Sequence, residues 1–475
     1  MNFRLLYLVL ISLITFSSFG KTISKRLISP TDSTTSIVDK TAALYMLEDG
    51  KRLYSEGKVR DAITQFRSVA MKDPHSWRPF YWIGVCHYSM SNYGLSLQYA
   101  RQSLVLKNNN VDGYVHELIE KTLHLENDVY ELLGKSYHQL GILDSAIINY
   151  EIAMVKISHS RVKELEIPNK IAQCRFAQSE IASGTKSERV RLVGSINTDH
   201  NEYSPILSSN GKMMYFTSRR IDTKGAKINP DDQEYFEDIY IAHWNEETNS
   251  WDSITNKVDR INSEGFDSFS FLSADGLNAL MTINTSAIAS KKSTNSSDIF
   301  ELNFTNKGKW STPKKIANQT VNTSFFEGCP TMTGDGNTLY FVSDRNGNKK
   351  LTDIYVSHKV GKTWGEAVPL NDTINSLGNE TTPFITADGR YLFFSSDGHV
   401  GMGGLDIFVS ENLGNTWSKP INLGIKFNTV NNDTHFKYYP ELKKAFLSGI
   451  ENVGLKSSID MYEVDMTNFE FPVTK

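Results

Sequence analysis

The stretch Thr333-Gly334-Asp335-Gly336-Asn337-Thr338-Leu339-Tyr340-Phe341-Val342-Ser343-Asp344-Arg345, followed by Asp353-Ile354-Tyr355 and Trp364, decides the fold. Asp335-Gly336 supplies the positive φ of a tight hairpin turn. The apolar run Leu339 to Val342 reads as a strand buried on both faces, and Asp353-Ile354-Tyr355 opens another. One such set buries little alone, but it recurs. Ile374-Asn375-Ser376, Ala387-Asp388-Gly389, Leu392-Phe393-Phe394, Asp406-Ile407-Phe408 and Trp417 repeat it downstream. Upstream stand Ile261-Asn262-Ser263, Asp275-Gly276, Asp298-Ile299-Phe300 and Trp310, and before them Ile196-Asn197-Thr198, Asn210-Gly211, Tyr215-Phe216 and Asp238-Ile239-Tyr240. A degenerate fifth unit has Phe427-Asn428-Thr429, Phe446-Leu447-Ser448 and Asp460-Met461-Tyr462.

The turns fall 65, 60 and 53 residues apart, room for four strands and their loops. That period predicts a five-bladed β-propeller over 188–466. Val190 to Ile196 matches the strand that ends each unit, as in Val368-Pro369-Leu370, yet precedes the first unit. It is expected to complete blade five and latch the ring.

Residues 41–185 have a different period. Apolar residues recur at three and four spacing, with few Gly or Pro. Gly50 aligns with Gly84, 34 residues on, and Leu53, Gly57, Ala62, Phe66 and Pro74 are matched by Leu133-Gly134, Tyr137, Gly141, Ala146, Tyr150 and Ala153. These residues resemble the tetratricopeptide (TPR) pattern, in which small residues let paired helices approach and an aromatic fills the gap. Val111 to Glu126 is an insertion, and 161–183, started by Pro168, a sealing helix. The fold class is therefore multidomain α plus all-β, a TPR α-solenoid followed by the propeller, with a C-terminal tail at 467–475.

The first twenty residues read as a secretory signal peptide. Arg4 precedes the apolar run Leu5 to Phe16, and Ser18 and Gly20 offer small residues for cleavage. No later stretch is long enough for a transmembrane segment. The chain has 475 residues, 50 Lys+Arg against 54 Asp+Glu and a pI near 6.3. That balance carries no nucleic-acid footprint. Cys86, Cys174 and Cys329, odd in number and far apart, make no disulfide framework.

The propeller units resemble PD40 (TolB-like) repeats. Ser395-Ser396-Asp397-Gly398-His399-Val400-Gly401-Met402-Gly403-Gly404-Leu405-Asp406 is similar to a loop of Bacteroidetes periplasmic TPR–propeller proteins, including PorE-like components of type IX secretion and gliding machinery. The resemblance implies a periplasmic protein with envelope or outer-membrane protein partners. Those relatives continue into an OmpA-like domain, whereas only Thr467 to Lys475 follow here, so peptidoglycan contact is expected to be at most indirect.

Tests for chemistry point away from catalysis. There is no G-x-S-x-G, and His116-Glu117-Leu118-Ile119-Glu120 has Glu120 where a zinc site needs its second His. Gly401 to Gly404 is no phosphate loop, because no Lys-Ser/Thr follows. The glycines serve tight turns or backbone approach. Asp231-Asp232-Gln233-Glu234 with Glu237 lacks EF-hand spacing, and His399 has no second His or Cys nearby. Ser410 to Trp417, and more loosely Ser357 to Trp364, resemble the Asp-box hairpin of sialidases, a fold device away from the active centre. Sialidase chemistry also needs an Arg cluster beside a Tyr–Glu pair. The propeller offers Arg189, Arg191, Arg219, Arg220, Arg260, Arg345 and Arg390.

No cofactor, metal or catalytic residue is expected. The candidate sites are a helical groove of Lys51, Tyr54, Arg78, Tyr81, Tyr88, Glu131, Lys135 and His138 for a protein segment, and a propeller loop of His399, Gly401, Gly403 and Gly404. The expected function is a non-catalytic periplasmic scaffold or adaptor. The alternatives are a glycan- or peptide-sensing module and a sialidase-like glycosidase, the last of which requires an Arg/Glu/Tyr cluster on the propeller axis.

Overall fold

The computed structural model describes residues 36–108, 128–229, 232, 234–258, 260–284, 297–346, 351–453 and 456–471. The expected leader, the insertion at 111–126 with its His116 to Glu120 stretch, Asp231, Gln233 and the last four residues of the tail lie outside them.

Among the described residues eight helices come first: α1 (Ile37–Ser55), α2 (Val59–Lys72), α3 (Arg78–Ser89), α4 (Tyr93–Asn108), α5 (Asp128–Gln139), α6 (Leu143–Lys156), α7 (His159–Glu164) and α8 (Ile167–Ala182). They pair as stacked hairpins, α1 with α2, α3 with α4 and α5 with α6. Spacing explains the pairing. In α2 the buried residues Ala62, Ile63, Phe66 and Val69 form one stripe. Glycine then permits the approach: a Cβ on Gly50 would sit 2.5 Å from the Phe66 ring, and one on Gly134 2.6 Å from Tyr150. Pro168 occupies the first turn of α8.

The rest is a ring of five antiparallel sheets. The short strand β1 (Arg189–Arg191) is set aside. Blade one is β2 (Glu202–Leu207), β3 (Met213–Ser218), β4 (Asp238–Asn245) and β5 (Ser250–Thr255). Blade two is β6 (Phe266–Leu272), β7 (Asn278–Asn284) and β8 (Asp298–Thr305), the last carrying β9 (Lys309–Trp310) and β10 (Lys314–Lys315). Blade three is β11 (Glu327–Met332), β12 (Thr338–Ser343) and β13 (Asp353–Val360), edged by β14 (Thr363–Trp364) and β15 (Val368–Pro369). Blade four is β16 (Glu380–Ile385), β17 (Tyr391–Ser396), β18 (Asp406–Glu411) and β19 (Ile421–Asn422). Blade five is β20 (Asp433–Tyr439), β21 (Lys444–Val453) and β22 (Lys456–Asp465), completed by β1. The expected latch is real: Arg189 lies opposite Val464 and Arg191 opposite Tyr462. The turn glycines Gly211, Gly276, Gly336 and Gly389 have φ between 68° and 71°, as hairpins of this kind demand.

One pattern holds each blade to the next. The Asn of every Asn-Thr/Ser pair grips the third strand of the preceding blade through both backbone groups: Asn197 on Met461, Asn262 on Ile239, Asn322 on Ile299, Asn375 on Ile354 and Asn428 on Ile407, all at 2.7–3.1 Å. The adjacent Thr or Ser gives its N–H and hydroxyl to a carboxylate four residues on, at the start of the next inner strand. These acids are Glu202, Asp267, Glu327, Glu380 and Asp433, and all are fully buried. Neighbouring residues therefore bind neighbouring blades.

A cation completes several of these sites. Arg220 bonds Glu202 at 3.1 Å and Arg345 bonds Glu327 at 3.0 Å. In blade five the cation comes from the latch, where Arg189 pairs with Asp433 and lies 4.1 Å over the Tyr462 ring. Gly449 leaves the room, since a Cβ there would collide with the guanidinium.

Replacing Arg189 by Ala strands a buried carboxylate and is expected to cost about 3–5 kcal/mol. Arg390→Ala, which breaks an exposed pair with Glu411, leaves the melting temperature unchanged; calorimetry of both variants checks the contrast.

Asp267 generates a pH prediction. Burial first, then Asp238 and Glu237, push its carboxyl from 3.8 up to about 7, against the bonds from Ser263. Burial likewise lifts Asp238 to about 6. The folded state keeps these protons to higher pH than the unfolded chain. Their stabilisation is thus complete below the unfolded value of 3.8 and is lost as pH rises through 6 and 7. The melting temperature is expected to fall between pH 5 and 8, and Asp267→Asn to flatten that fall.

Candidate ligand site in the axial channel

The expected loop residues prove to be part of the stitching. His399 Nε2 lies 2.8 Å from Ile374 O, with its ring against Phe394 and Phe408. Arg345 sits the same way on Val321 O, over Phe341 and Tyr355. His399 is thus blade four's counterpart of the clasp arginines. Gly401, Gly403 and Gly404 have no room for a Cβ beside Asp406, Val430 and Asn432, which is the close approach anticipated for them. The loop's reach is toward the helices: Met402 packs among Tyr150, Ile171 and Cys174, and its carbonyl lies 2.8 Å from His138 Nε2.

The eight groove residues fall along a string of rings and charges. Lys51 pairs with Glu48 and lies over Trp82, whose edge Tyr54 and Tyr81 meet. Arg78 covers Trp77. Lys135 lies 4.5 Å over Tyr88 and, with Lys170, holds Glu131 at 3.2 Å. Burial opposes the Glu131 charge, but the two lysines hold its carboxyl below the usual range. Tyr81, Glu131 and His138 are buried, and His138 already meets the propeller. Further ties join the two parts: Arg60 with Glu234, Ser457 with Ser91, and Ile425 N with Glu180 at 3.1 Å.

A second constellation lines the axis. The inner strands β2, β6, β11, β16 and β20 adjoin one another around it. Ser204, Cys329, Thr382 and His435, each two residues beyond its clasp carboxylate, have φ of 46–57°. Each lies within a shift of strand register. Such bulges re-aim side chains and collect at functional sites. Here Tyr203 lies beside Glu237 and eases its charge, while its ring meets His435 at 5.3 Å. Arg219 lies beside Glu237, anchored by Asp232 at 2.8 Å and Tyr235 O at 2.6 Å. Lys437, 7% exposed, lies over the Phe384 ring at 5.4 Å.

Crowding sets the electrostatics. Burial lifts Glu237, against Arg219 and Tyr203. It pushes His435 down to about 3 with help from Lys437, and Lys437 down to about 8. The Cys329 thiol is raised by burial although Lys437 pulls it back. Tyr203, Glu237, Cys329 and His435 are crowded by protein yet keep part of their surface open, at the place where a propeller has its central channel. Cys86 and Cys174, by contrast, are fully buried in the helical core.

One arginine, one glutamate and one tyrosine thus meet near the axis, without the arginine cluster that the sialidase-like alternative requires. Sequence reading had Arg219, Glu237 and Cys329 in hand but nothing to bring them together, and it passed over Tyr203, His435 and Lys437. One signal was present. Four residues beyond the clasp acid, other blades have Ile206, Thr331 or Phe384, and blade five has Lys437.

No family model matches the chain, and no curated protein does. Among solved structures it is similar to one described as a glycoside hydrolase, at 10% identity, covering 62% of this chain and 98% of that one, with a TM-score of 0.37. It is also similar to an exo-β-1,3-galactanase from Clostridium thermocellum, at 10% identity over 58% and 66% of the two chains, TM-score 0.33. A puromycin-hydrolyzing peptidase of Mycobacterium tuberculosis matches at 13% identity over 58% and 37%, TM-score 0.31. These matches run against the expectation that the chain is not an enzyme, and that expectation is withdrawn; at TM-scores of 0.31–0.37 they assign no activity in its place.

Met402 is the wedge between the two parts. Met402→Ala is expected to speed tryptic cleavage at Lys186, in the exposed connection, while leaving the propeller's melting transition in place; timed proteolysis with calorimetry checks both.

Proposed function

We propose that this chain is an exported protein of a bacterial envelope whose propeller receives a polar, sugar-like ligand in its axial channel, with the helical region as a second surface for a protein partner. The observation that supports the ligand site is the Tyr203–Glu237 pair beside Arg219, crowded by protein yet partly open. Buried polar groups with shifted pKa values that converge in a concavity are the usual mark of a ligand site. Location in the envelope and a role as adaptor beside secretion or gliding machinery rest on the resemblance of the Ser395 to Asp406 loop and on the leader. Cross-linking in intact cells, followed by identification of co-purifying envelope proteins, tests that part.

The same pair favours one second reading. Some glycosidases attack through a tyrosine, here one lying beside a carboxylate, and a carboxyl raised by burial suits proton transfer near neutral pH. Lone Arg219 falls short of the arginine cluster that sialidases use, so the sugar need not be a sialoside.

A thermal-shift screen with peptidoglycan fragments and plant and host glycans, followed by titration calorimetry, tests the site. Tyr203→Phe and Glu237→Gln are each expected to weaken binding roughly tenfold or more, the worth of a hydrogen bond to a charged group. If the pair also performs hydrolysis, wild-type protein releases the aglycone from an aryl glycoside of the sugar that binds and Tyr203→Phe does not. Binding that survives both substitutions places the ligand elsewhere.

A further inference from the structure

Arginines drawn into the interior of this protein meet carboxylates. Arg189 faces Asp433, Arg219 faces Asp232, Arg220 faces Glu202, Arg345 faces Glu327, and Arg161 faces Asp128. Lys437 departs from that rule. Its side chain is more than nine-tenths buried, and among the described residues its partners are the Phe384 ring and the neighbouring Cys329, a thiol that burial keeps protonated. An unpaired buried ammonium is costly. The fold has no need of it, since the equivalent places on β2, β11 and β16 hold Ile206, Thr331 and Phe384. Lys437 shares the channel with the Tyr203–Glu237 pair: Cys329 feels both Lys437 and Glu237, and His435 lies beside both Lys437 and Tyr203.

We infer that the channel takes a ligand bearing a carboxylate, which docks on the Lys437 ammonium while the hydroxylated remainder lies against Tyr203, Glu237 and Arg219. This rests on the axial channel being the ligand site and names the class of sugar it takes, an acidic one such as a uronic acid. The count of charges selects a monoanion. Among the described residues Lys437 supplies one ammonium without a carboxylate partner, Arg219 is already engaged by Asp232, and Glu237 would repel a phosphate dianion. The aromatic floor at Phe384 gives the ammonium little competition for the incoming acid, and a charge-assisted bond formed away from bulk water is among the stronger polar contacts.

The experiment compares a glucuronate-terminated disaccharide with its carboxyl-reduced, neutral counterpart by titration calorimetry. The acid is expected to bind wild-type protein at least tenfold more tightly at pH 7. That advantage shrinks as pH rises past about 8, where Lys437 gives up its proton. Arg219 keeps its charge there, His435 is already neutral, Cys329 and Tyr203 are shifted upward, and any effect of Glu237 appears with both sugars. Lys437→Met abolishes the preference, so that the variant binds acid and neutral sugar equally. The wild-type comparison stands even if that variant folds poorly. If wild-type protein binds acid and neutral sugar equally, or if the preference persists in Lys437→Met, Lys437 is not the docking site, although the channel reading survives. If neither sugar binds up to millimolar concentration, the inference is overturned, and the thermal-shift screen of the wider panel decides the channel reading separately.

Discussion

Everything in the propeller hangs on a pair of adjacent residues that face opposite ways. In Asn-Thr/Ser, the first side chain completes the backbone hydrogen bonds of the blade just finished, and the second, with its own N–H, binds the carboxylate that opens the blade about to begin. Burying a carboxylate is unfavourable unless donors surround it. Donors from the linking segment, the second strand and in three blades an arginine converge on the acids, so the cost of burial becomes a constraint on blade spacing. A small error in the angle between sheets would leave a desolvated oxygen. Asp267 shows what incomplete satisfaction does: one of its oxygens has no partner, and its carboxyl holds a proton far above the usual range.

That constraint was half legible. The Ile-Asn-Thr triplets, the Asp-Gly turns and the Asp-Ile-Tyr triplets were visible because each is local, and the period between turns carried the blade count. The carboxylates four residues after the triplets were equally regular, yet nothing in a single sequence distinguishes a buried acid from a solvated one. His399 illustrates the difficulty. As a residue in a glycine-rich loop it reads as a site candidate, but it packs where other blades have arginine, in the stitching. Among the groove residues His138 shows another limit, since helical phase is silent about its meeting Met402, 264 residues away. The glycine-to-aromatic contacts at Gly50 and Gly134 depend only on neighbouring helices and were read correctly.

The channel follows from the same regularity. A ring of five similar inner strands leaves a narrow axis that side chains nearly fill. At four places the strand departs from ideal extension, with Ser204, Cys329, Thr382 and His435 in the left-handed region. Cys329 and His435 are among the residues that line the axis, so the bulges sit where the polar groups collect. Tyr203, Arg219 and Glu237 belong to blade one, and ring closure brings Lys437 of β20 to them.

The latch has a mechanical consequence. The helical region is joined to the propeller through β1, three residues lying on the outer edge of blade five. Tension applied between a partner held by the helices and one held by the propeller passes into that edge once the Met402 wedge lets go. It is borne along the β1–β22 ladder in shear and by the Arg189–Asp433 pair, whose members are 244 residues apart in the chain. The first four blades lie outside that line of force, whereas Asp433 begins the inner strand that carries Lys437. A pull strong enough to draw Arg189 from its seat would therefore be felt along β20 as far as Lys437, while the other blades keep their register.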